Sequence, residues 1–532
     1  MRPDNSDNII DLKNDENPEI LVKQDNEGAV SRRNFIRFAA GTGIVAVSAV
    51  GCGGPAGGEG WFPAQYNEQG NFPPHVRGRV PINPGNVSIT RDNAKCILCG
   101  QCTEACSKME AVMFHYELPL IDDIPCINCG QCSLWCPTGA ITEVDDTARF
   151  LEALEDPNVH VVVQTAPSTR VGLGEEFGMP AGTNVEGSQV AALKALGVDT
   201  VLDTNFAADL TIMEEAKELV RRLKRELDEP IPQFTSCCPG WVRFCEYFYP
   251  DLIPNLSTTR SPMGILGAMI KTYYAEKRGI DPKNIFSVSI MPCTAKKYEA
   301  VRPEMNNVGR KLGDPLMRDT DLVLTTRELA RLIKMRKIDF LNLESAPYDK
   351  MLSEYTGAGA IFGVTGGVME AAVRTAYTFI TGENPPASLL EFQPVRGLTG
   401  MREAELEIPS VGKVNVAVIA GMGNAHKILD QVRAGKSKWQ FVEFMACPGG
   451  CISGGGQPRT ALPPSPELHT ARIDSIYSLD EKSTIRLCHE NPEIKTVYKD
   501  YLGEPNSELA EQLLHTHFDK DYHKHLTPKK SV

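Results

Sequence analysis

Eight cysteines between positions 96 and 136 constrain this chain more than any other feature. "CILCGQCTEAC", starting at Cys96, recurs as "CINCGQCSLWC", starting at Cys126, and Pro137 follows the second copy. Both copies read C-x2-C-x2-C-x3-C. A 4Fe–4S cube needs four thiolates arriving from different directions. Three closely spaced cysteines on a tight loop supply three of them, and the fourth of each run reaches the other cluster of the pair. The spacing therefore assigns Cys96, Cys99, Cys102 and Cys136 to one cube, and Cys126, Cys129, Cys132 and Cys106 to the other. A tetrahedral zinc site would use two C-x2-C pairs and leave the third and fourth cysteines of each run without a role. Two 4Fe–4S clusters carry electrons singly at low potential, but they name no reaction.

Sixteen cysteines in 532 residues also raise the question of disulfides and compartment. "SRRNFIRF" (Ser31 to Phe38) precedes an apolar run from Ala39 to Val50. That run, at about 12 residues, is too short to span a bilayer, which takes about 20. A basic segment before such a run is a secretory signal, and the Arg32-Arg33 pair marks the twin-arginine type. That pathway resembles the one that exports proteins already folded around cofactors, so metal-bound thiolates can reach an oxidising compartment. A chance arginine pair before a buried helix is the alternative. Cys52 follows "SAVG", a lipoprotein-like cleavage site with Ala49 where leucine is usual, so Cys52 is either lipidated or an ordinary thiol. The net charge of −13 gives no reason to expect nucleic acid and is compatible with a basic partner.

Beyond the cysteine block the texture changes. "VHVVVQTAP", "DTVLDTN", "IFSVSIMPC" and "KVNVAVIAG" are buried-strand runs that each feed a loop, and "VEGSQVAALKALGV" has helical periodicity. Strands alternating with helices predict α/β architecture with functional residues on the loops after the strands. "GAGAIFGVTGGVMEAAV" reads as a glycine-rich turn opening a helix. From about residue 462 the chain is polar and helical.

Three of those loops carry the remaining cysteine motifs: "TSCCPGW" with Cys237 and Cys238, "MPCTAKKYE" with Cys293, and "MACPGGC" with Cys447 and Cys451. Each ends an apolar run beside Pro or Gly, so four thiols can meet at one point and bind a third cube. The three motifs, in this order, resemble the signatures of the iron-only (FeFe) hydrogenases, and the resemblance runs from the ferredoxin-like block nearly to the C-terminus. It implies that Cys238, Cys293, Cys447 and Cys451 hold the cube of an H-cluster, with Cys451 bridging to a two-iron subsite bearing CO, cyanide and a dithiolate. It also separates the adjacent thiols: Cys238 is a ligand, whereas Cys237 passes protons. A buried structural thiol is the alternative for Cys237.

The resemblance assigns further residues. Cyanide carries negative charge in a dry pocket, so a buried cation must offset it; Lys296 matches that cation and Glu299 its support. Ala295 stands where some relatives have serine, which leaves one cyanide contact to the backbone. Pro167 and Ser168 match pocket residues near the other cyanide, and Met291, Phe362 and Met445 match walls that exclude water. "DLTIMEEAKELVRR" is helical by pattern, with Glu215, Glu218 and Arg222 sharing a face. From the residues alone, a solvated helix with a Glu-to-Arg pair serves; the resemblance implies a proton relay of Cys237, Glu215, Ser257, Glu218 and Arg222. Cys245 reads as a packed small hydrophobe and Cys488 as a bystander.

The expected protein is thus an α+β ferredoxin-like domain with two 4Fe–4S clusters, a larger α/β H-cluster domain of two lobes, and a mostly helical C-terminal extension resembling a small subunit fused to the same chain. Boundaries fall at 1–52 for signal and pre-sequence, 53–85 for linker, 86–147, 150–461, 462–525 and a tail to 532. The implied activity is reversible oxidation of dihydrogen to protons and electrons, run as uptake in the periplasm. The electron acceptor is expected to be a c-type cytochrome, a ferredoxin or a membrane complex, and dedicated maturation proteins are needed for the H-cluster. A dihydrogen sensor and a plain electron carrier are the rival readings. Sensors tend to replace the proton-shuttle cysteine, whereas Cys237 is present.

Overall fold

The computed structural model describes residues 78–112 and 125–519. The Arg32-Arg33 segment, Cys52, most of the linker and the charged tail lie outside the described residues. In the cysteine block, β1 (Ile89–Arg91) pairs antiparallel with β2 (Ile141–Glu143), Thr90 opposite Thr142. The internal repeat is reproduced by the backbone. Gly100 and Gly130, at φ 77° and 73°, open the short helices Gln101–Glu104 and Gln131–Leu134. Leu98 and Asn128, equivalent in the two copies, also take positive φ. A left-handed residue is strained unless something holds it, and glycine adopts it freely; each copy is therefore the same tight loop.

Eight strands follow: β3 (His160–Thr165), β4 (Thr200–Asp203), β5 (Gln233–Phe234), β6 (Ile285–Met291), β7 (Leu322–Thr325), β8 (Met401–Ile408), β9 (Gly412–Ala420) and β10 (Phe441–Met445). They form two four-stranded sheets. One has the order β4-β3-β6-β7 and is parallel throughout. The other has the order β5-β10-β9-β8, in which only β8 runs antiparallel. Burial explains the difference. HVVVQT and FVEFM are apolar on both faces and almost wholly buried, as inner parallel strands must be, whereas β8 has exposed and buried residues along its length and lies at an edge.

One buried cluster takes Val162 and Leu202 from the first sheet, Val416, Val418 and Phe441 from the second, and Phe206, Leu210, Ile265 and Met269 from helices. Leu502, Leu513 and Leu514 of the C-terminal region belong to the same cluster. That region is mostly helical, with helices Pro466–Lys482, Pro492–Val497 and Glu508–Leu514. Arg374 and Asp480, both fully buried, join at 2.8 Å and fasten the first of these helices to Gly367–Thr381. The chain thus has a mixed α/β body and a helical C-terminus that shares its core.

Candidate metal centre and proton route

The cysteine motifs lie where parallel strands end. Thr235, Ser236, Cys237 and Cys238 follow β5; Ala446 and Cys447 follow β10; Pro292 and Cys293 follow β6; Ala166, Pro167 and Ser168 follow β3. Ligand sites of open α/β sheets lie outside the carboxyl ends of their strands, and here two sheets send those ends to one place. Cys447 and Cys451 each feel the charge of Cys293 and Cys238, and Cys447 also feels that of Cys451. Burial pushes all four thiols up from their ordinary value. The Ala446 N–H donates to Cys238 Sγ at 3.4 Å.

Four sulfur donors held together in a water-poor pocket cannot all ionise unless something shares their charge. An iron–sulfur cube does so, and the donor set fits it. Among the described residues no disulfide joins any two cysteines, and no three Cys, His, Asp or Glu side chains converge as one small metal ion would require. Glycines let the backbones close around the pocket: a Cβ on Gly450 would fall 2.5 Å from the Thr365 nitrogen, and one on Gly454 2.3 Å from the Pro292 carbonyl oxygen.

Cys96, Cys99, Cys102 and Cys136 line one cavity, together with Ile97, Leu98 and Gly100. Cys132 feels Cys126 and Cys106 most strongly, then Cys102 and Cys136. Cys129 feels Cys447. The sulfur groups therefore succeed one another from the first cysteine loop to the pocket between the sheets. At the junction with that pocket the backbones touch: a Cβ on Gly455 would fall 2.2 Å from the Cys129 carbonyl oxygen and 2.6 Å from Gly130 Cα. Thr294 Oγ1 donates to the Asn128 carbonyl at 2.7 Å across the same seam.

Lys296 is the cation of the pocket. Its Nζ lies 2.6 Å from Glu299 Oε2 and 3.1 Å from the main-chain carbonyl of Cys237. Burial alone would lower its proton affinity, but Glu299 and the nearby thiols more than offset this and hold the ammonium charged. Ser261 Oγ bonds the other Glu299 oxygen and also caps helix Pro262–Met269. On the opposite side, Ser168 Oγ donates to the Gly363 carbonyl at 3.0 Å, so Pro167 and Ser168 pack against the turn carrying Phe362. Met291, Phe362 and Met445 are all buried.

Helix Thr204–Leu223 is not a solvated helix. Glu214, Glu215, Glu218 and Arg222 are all buried, which removes the plain surface reading of that segment. Glu215 lies within electrostatic reach of Cys237, bonds Ser257 and is pushed well above the carboxylate range, first by burial and then by Glu218. Its Oε2 is buried without a partner. Ser257 Oγ donates to Glu218 Oε2 at 2.6 Å, and Arg222 Nε donates to Glu218 Oε1 at 3.1 Å. Arg222 also donates to the carbonyls of Pro230, Pro254, Asn255 and Leu256. Cys237, Glu215, Ser257, Glu218 and Arg222 form one buried sequence of proton-bearing or proton-accepting groups, ending in a cation.

Other residues at the site carry little signal in the sequence. Glu443 in β10 accepts N–H donors from Gly366 at 2.6 Å and Met369 at 2.7 Å, fastening the glycine-rich turn to the strand that leads to Met445. A lone acid within "FVEFM" is the only sign of it. Glu110 is fully buried beside Cys129 and Cys447 and pushed up to about 8, chiefly by burial. Cys245 is buried and its thiol meets the Tyr249 carbonyl at 3.4 Å. Cys488, read as a bystander, is buried and its thiol bonds Asp209 of helix Thr204–Leu223.

Known proteins resemble the chain over most of its length. Residues 159–455 match the C-terminal domain of the iron-only hydrogenase large subunit, and residues 466–521 match the iron hydrogenase small subunit. Iron hydrogenase 1 of Clostridium pasteurianum is 44% identical over 454 residues, which cover 82% of this chain and 77% of that protein. The periplasmic Fe hydrogenase large subunit of Nitratidesulfovibrio vulgaris is 47% identical over 377 residues, covering 69% of this chain and 85% of that one. Among solved structures, FeFe-hydrogenase HydA1 from Chlamydomonas reinhardtii superposes with a TM-score of 0.63 at 42% identity, over 70% of this chain and 99% of its own. The chain belongs to the iron-only hydrogenase family, whose large-subunit and small-subunit regions it joins in one polypeptide. It is an oxidoreductase acting on dihydrogen, and its family carries iron–sulfur clusters and the H-cluster.

Proposed function

We propose that the protein oxidises dihydrogen reversibly at an H-cluster whose cube is held by Cys238, Cys293, Cys447 and Cys451. One observation carries this reading: four cysteines from two sheets share a buried pocket with a fifth, Cys237, whose own contacts lead to Glu215. When bound, the two-iron subsite supplies the place where dihydrogen is split. The chain's own residues do the rest. Lys296 places a fixed positive charge in the pocket, and Pro167, Ser168, Met291, Phe362 and Met445 enclose it and exclude water. Cys237 takes a proton from the pocket and passes it to Glu215. Ser257 relays it to Glu218, and Arg222 holds that carboxylate at the outer end. The raised proton affinity of Glu215 lets it hold a proton that an ordinary carboxylate would release.

Electrons leave through two 4Fe–4S cubes, one on Cys126, Cys129, Cys132 and Cys106 and one on Cys96, Cys99, Cys102 and Cys136. The nearness of Cys129 to Cys447 supports the first step. The domain limits are those read from the sequence. The twin-arginine pair supports export and work as an uptake enzyme in the periplasm, with a c-type cytochrome, a ferredoxin or a membrane complex as acceptor and maturation proteins loading the H-cluster. Dihydrogen-dependent viologen reduction by anaerobic matured protein, beside Cys237→Ala, tests the reading. Fast turnover lost in the variant supports it; equal inertness of the matured wild type returns the sensor or carrier reading. Iron content and spectroscopy of the reduced protein count the clusters, and cell fractionation locates them.

A further inference from the structure

The relay helix Thr204–Leu223 presents two adjacent acids in different directions. Glu215 faces Cys237 and Ser257, whereas Glu214 faces the C-terminal extension. Glu214 Oε1 accepts the Tyr498 hydroxyl, and its Oε2 accepts Asn506 N at 2.7 Å and Asn506 Nδ2 at 2.8 Å. His515 Nε2 lies 3.0 Å from the same Oε2, with 3% of the imidazole and none of the carboxylate exposed. The other ring nitrogen, Nδ1, lies 2.8 Å from Thr258 Oγ1. Thr258 in turn donates its backbone N–H to both Glu218 oxygens at 3.2 and 3.3 Å. The backbone around His515 is zipped to the same loop: Thr259 bridges His515, Arg260 N donates to Leu514, and Thr516 N donates to Thr258. That loop carries Ser257.

We propose that His515 is a positioning residue of the proton relay: bonded to Glu214 through one ring nitrogen and to Thr258 through the other, it keeps the 257–260 loop, and so Ser257, in register with Glu215 and Glu218. The proposal rests on the relay described above. The groups facing His515 are Glu214 and Glu218 from the relay helix, Glu511 from its own helix at 3.6 Å, and Tyr498 across Glu214. The nearby cation, Arg260, is matched by Asp319 at 2.6 Å. The surrounding acids, Glu214 first, raise the proton affinity of the imidazole above its ordinary value against the pull of burial. A proton on the ring strengthens its hydrogen bond to Glu214, and losing it on the alkaline side weakens the hold on the loop.

The test compares matured full-length wild type, His515→Ala and His515→Gln, with Glu215→Gln beside them. Turnover with viologen is followed against pH, and the carboxyl stretch of the buried glutamates is followed by infrared over the same range. His515→Ala is expected to lose about tenfold in turnover through a loosened relay. His515→Gln offers an amide N–H to Glu214 and an amide oxygen to the Thr258 hydroxyl without the charge. It is expected to recover most of that rate while losing the alkaline inflection of the profile and moving the carboxyl titration. Where His515→Ala folds poorly, the glutamine variant carries the test. Wild-type rates in His515→Ala, or an unchanged inflection and unchanged carboxyl titration in His515→Gln, overturn the proposal. A Glu215→Gln variant that turns over normally overturns the relay instead, and the two failures are thereby told apart.

Discussion

Lys296 reaches across the pocket to the main-chain carbonyl of Cys237 at 3.1 Å, so a lysine within the cysteine motif after β6 holds the backbone of the motif after β5. The same ammonium is paired to Glu299 with both side chains nearly inaccessible. One cation therefore sets the distance between two loops as well as the charge of the pocket between them.

Lys296→Met is expected to lose dihydrogen turnover and to retain the cubes while iron content falls by the atoms of the two-iron subsite. It also leaves Glu299 as an uncompensated buried charge, which costs about 3–5 kcal/mol. Iron analysis and denaturant unfolding of the same preparation check both parts. Unchanged iron and stability would remove Lys296 from the site.

Replacing Cys237 by alanine takes out the group between the pocket and Glu215 while leaving Cys238 in place. Turnover should fall by at least about a hundredfold, the range for loss of a positioned proton donor. Thermal stability and iron content should match the wild type. Steady-state rates of both proteins, normalised to iron, decide it.

Arg222 has its guanidinium wholly buried against Glu218 and four carbonyls, at the outer end of the proposed relay. Arg222→Met is expected to destabilise the fold by about 3–5 kcal/mol, because Glu218 is left buried without its counter-charge. Arg222→Lys keeps the charge but not the fork of donors and should recover only part of this. Denaturant midpoints of the three proteins give the comparison.

Acid stability has a separate source in the extension. His469, in helix Pro466–Lys482, is lowered from 6.5 to about 4, first by burial and then by Arg472. The unfolded chain takes up that proton near 6.5 and the folded chain only near 4, so stability present above 6.5 is lost as pH falls through that window. The loss approaches about 3 kcal/mol for this one group. Unfolding free energies at pH 7 and pH 5 should differ less in His469→Gln than in the wild type.

At the seam between the cysteine block and the α/β body, Gly455→Ala would set a methyl group against the backbone of Cys129 and Gly130. Those atoms cannot swing aside as a side-chain end can, so the two regions must separate. Isotope exchange between dihydrogen and water, which needs no outgoing electron, is expected to persist, while reduction of a protein acceptor slows. Equal loss of both activities would contradict a purely electronic role for this contact.

Much of this was legible beforehand for local reasons. Runs such as VHVVVQT and IFSVSIM are apolar enough to be inner strands wherever the chain places them, and the repeated glycine after the second cysteine imposes the same left-handed turn twice. The two-residue strand β5 has no periodicity to read, yet it delivers Cys237 and Cys238. The depth of helix Thr204–Leu223 was hidden for a different reason. Its acids look like a water-facing stripe, and the groups that bury them, Tyr498 and His515, lie 284 and 301 positions further along the chain. Glu443 and Glu110 were missed because a single acid inside an apolar run argues against burial until its partners are known.

The C-terminal helices belong to a family region that is named as a subunit, yet here they continue the same polypeptide and fill the same core. Two separate chains would part on dilution, exposing Glu214 and the loop that bears Ser257 at low concentration. A tether makes that docking a first-order event, as if the partner were always present at high effective concentration. The proposed proton relay should therefore be as complete in dilute surroundings as in crowded ones.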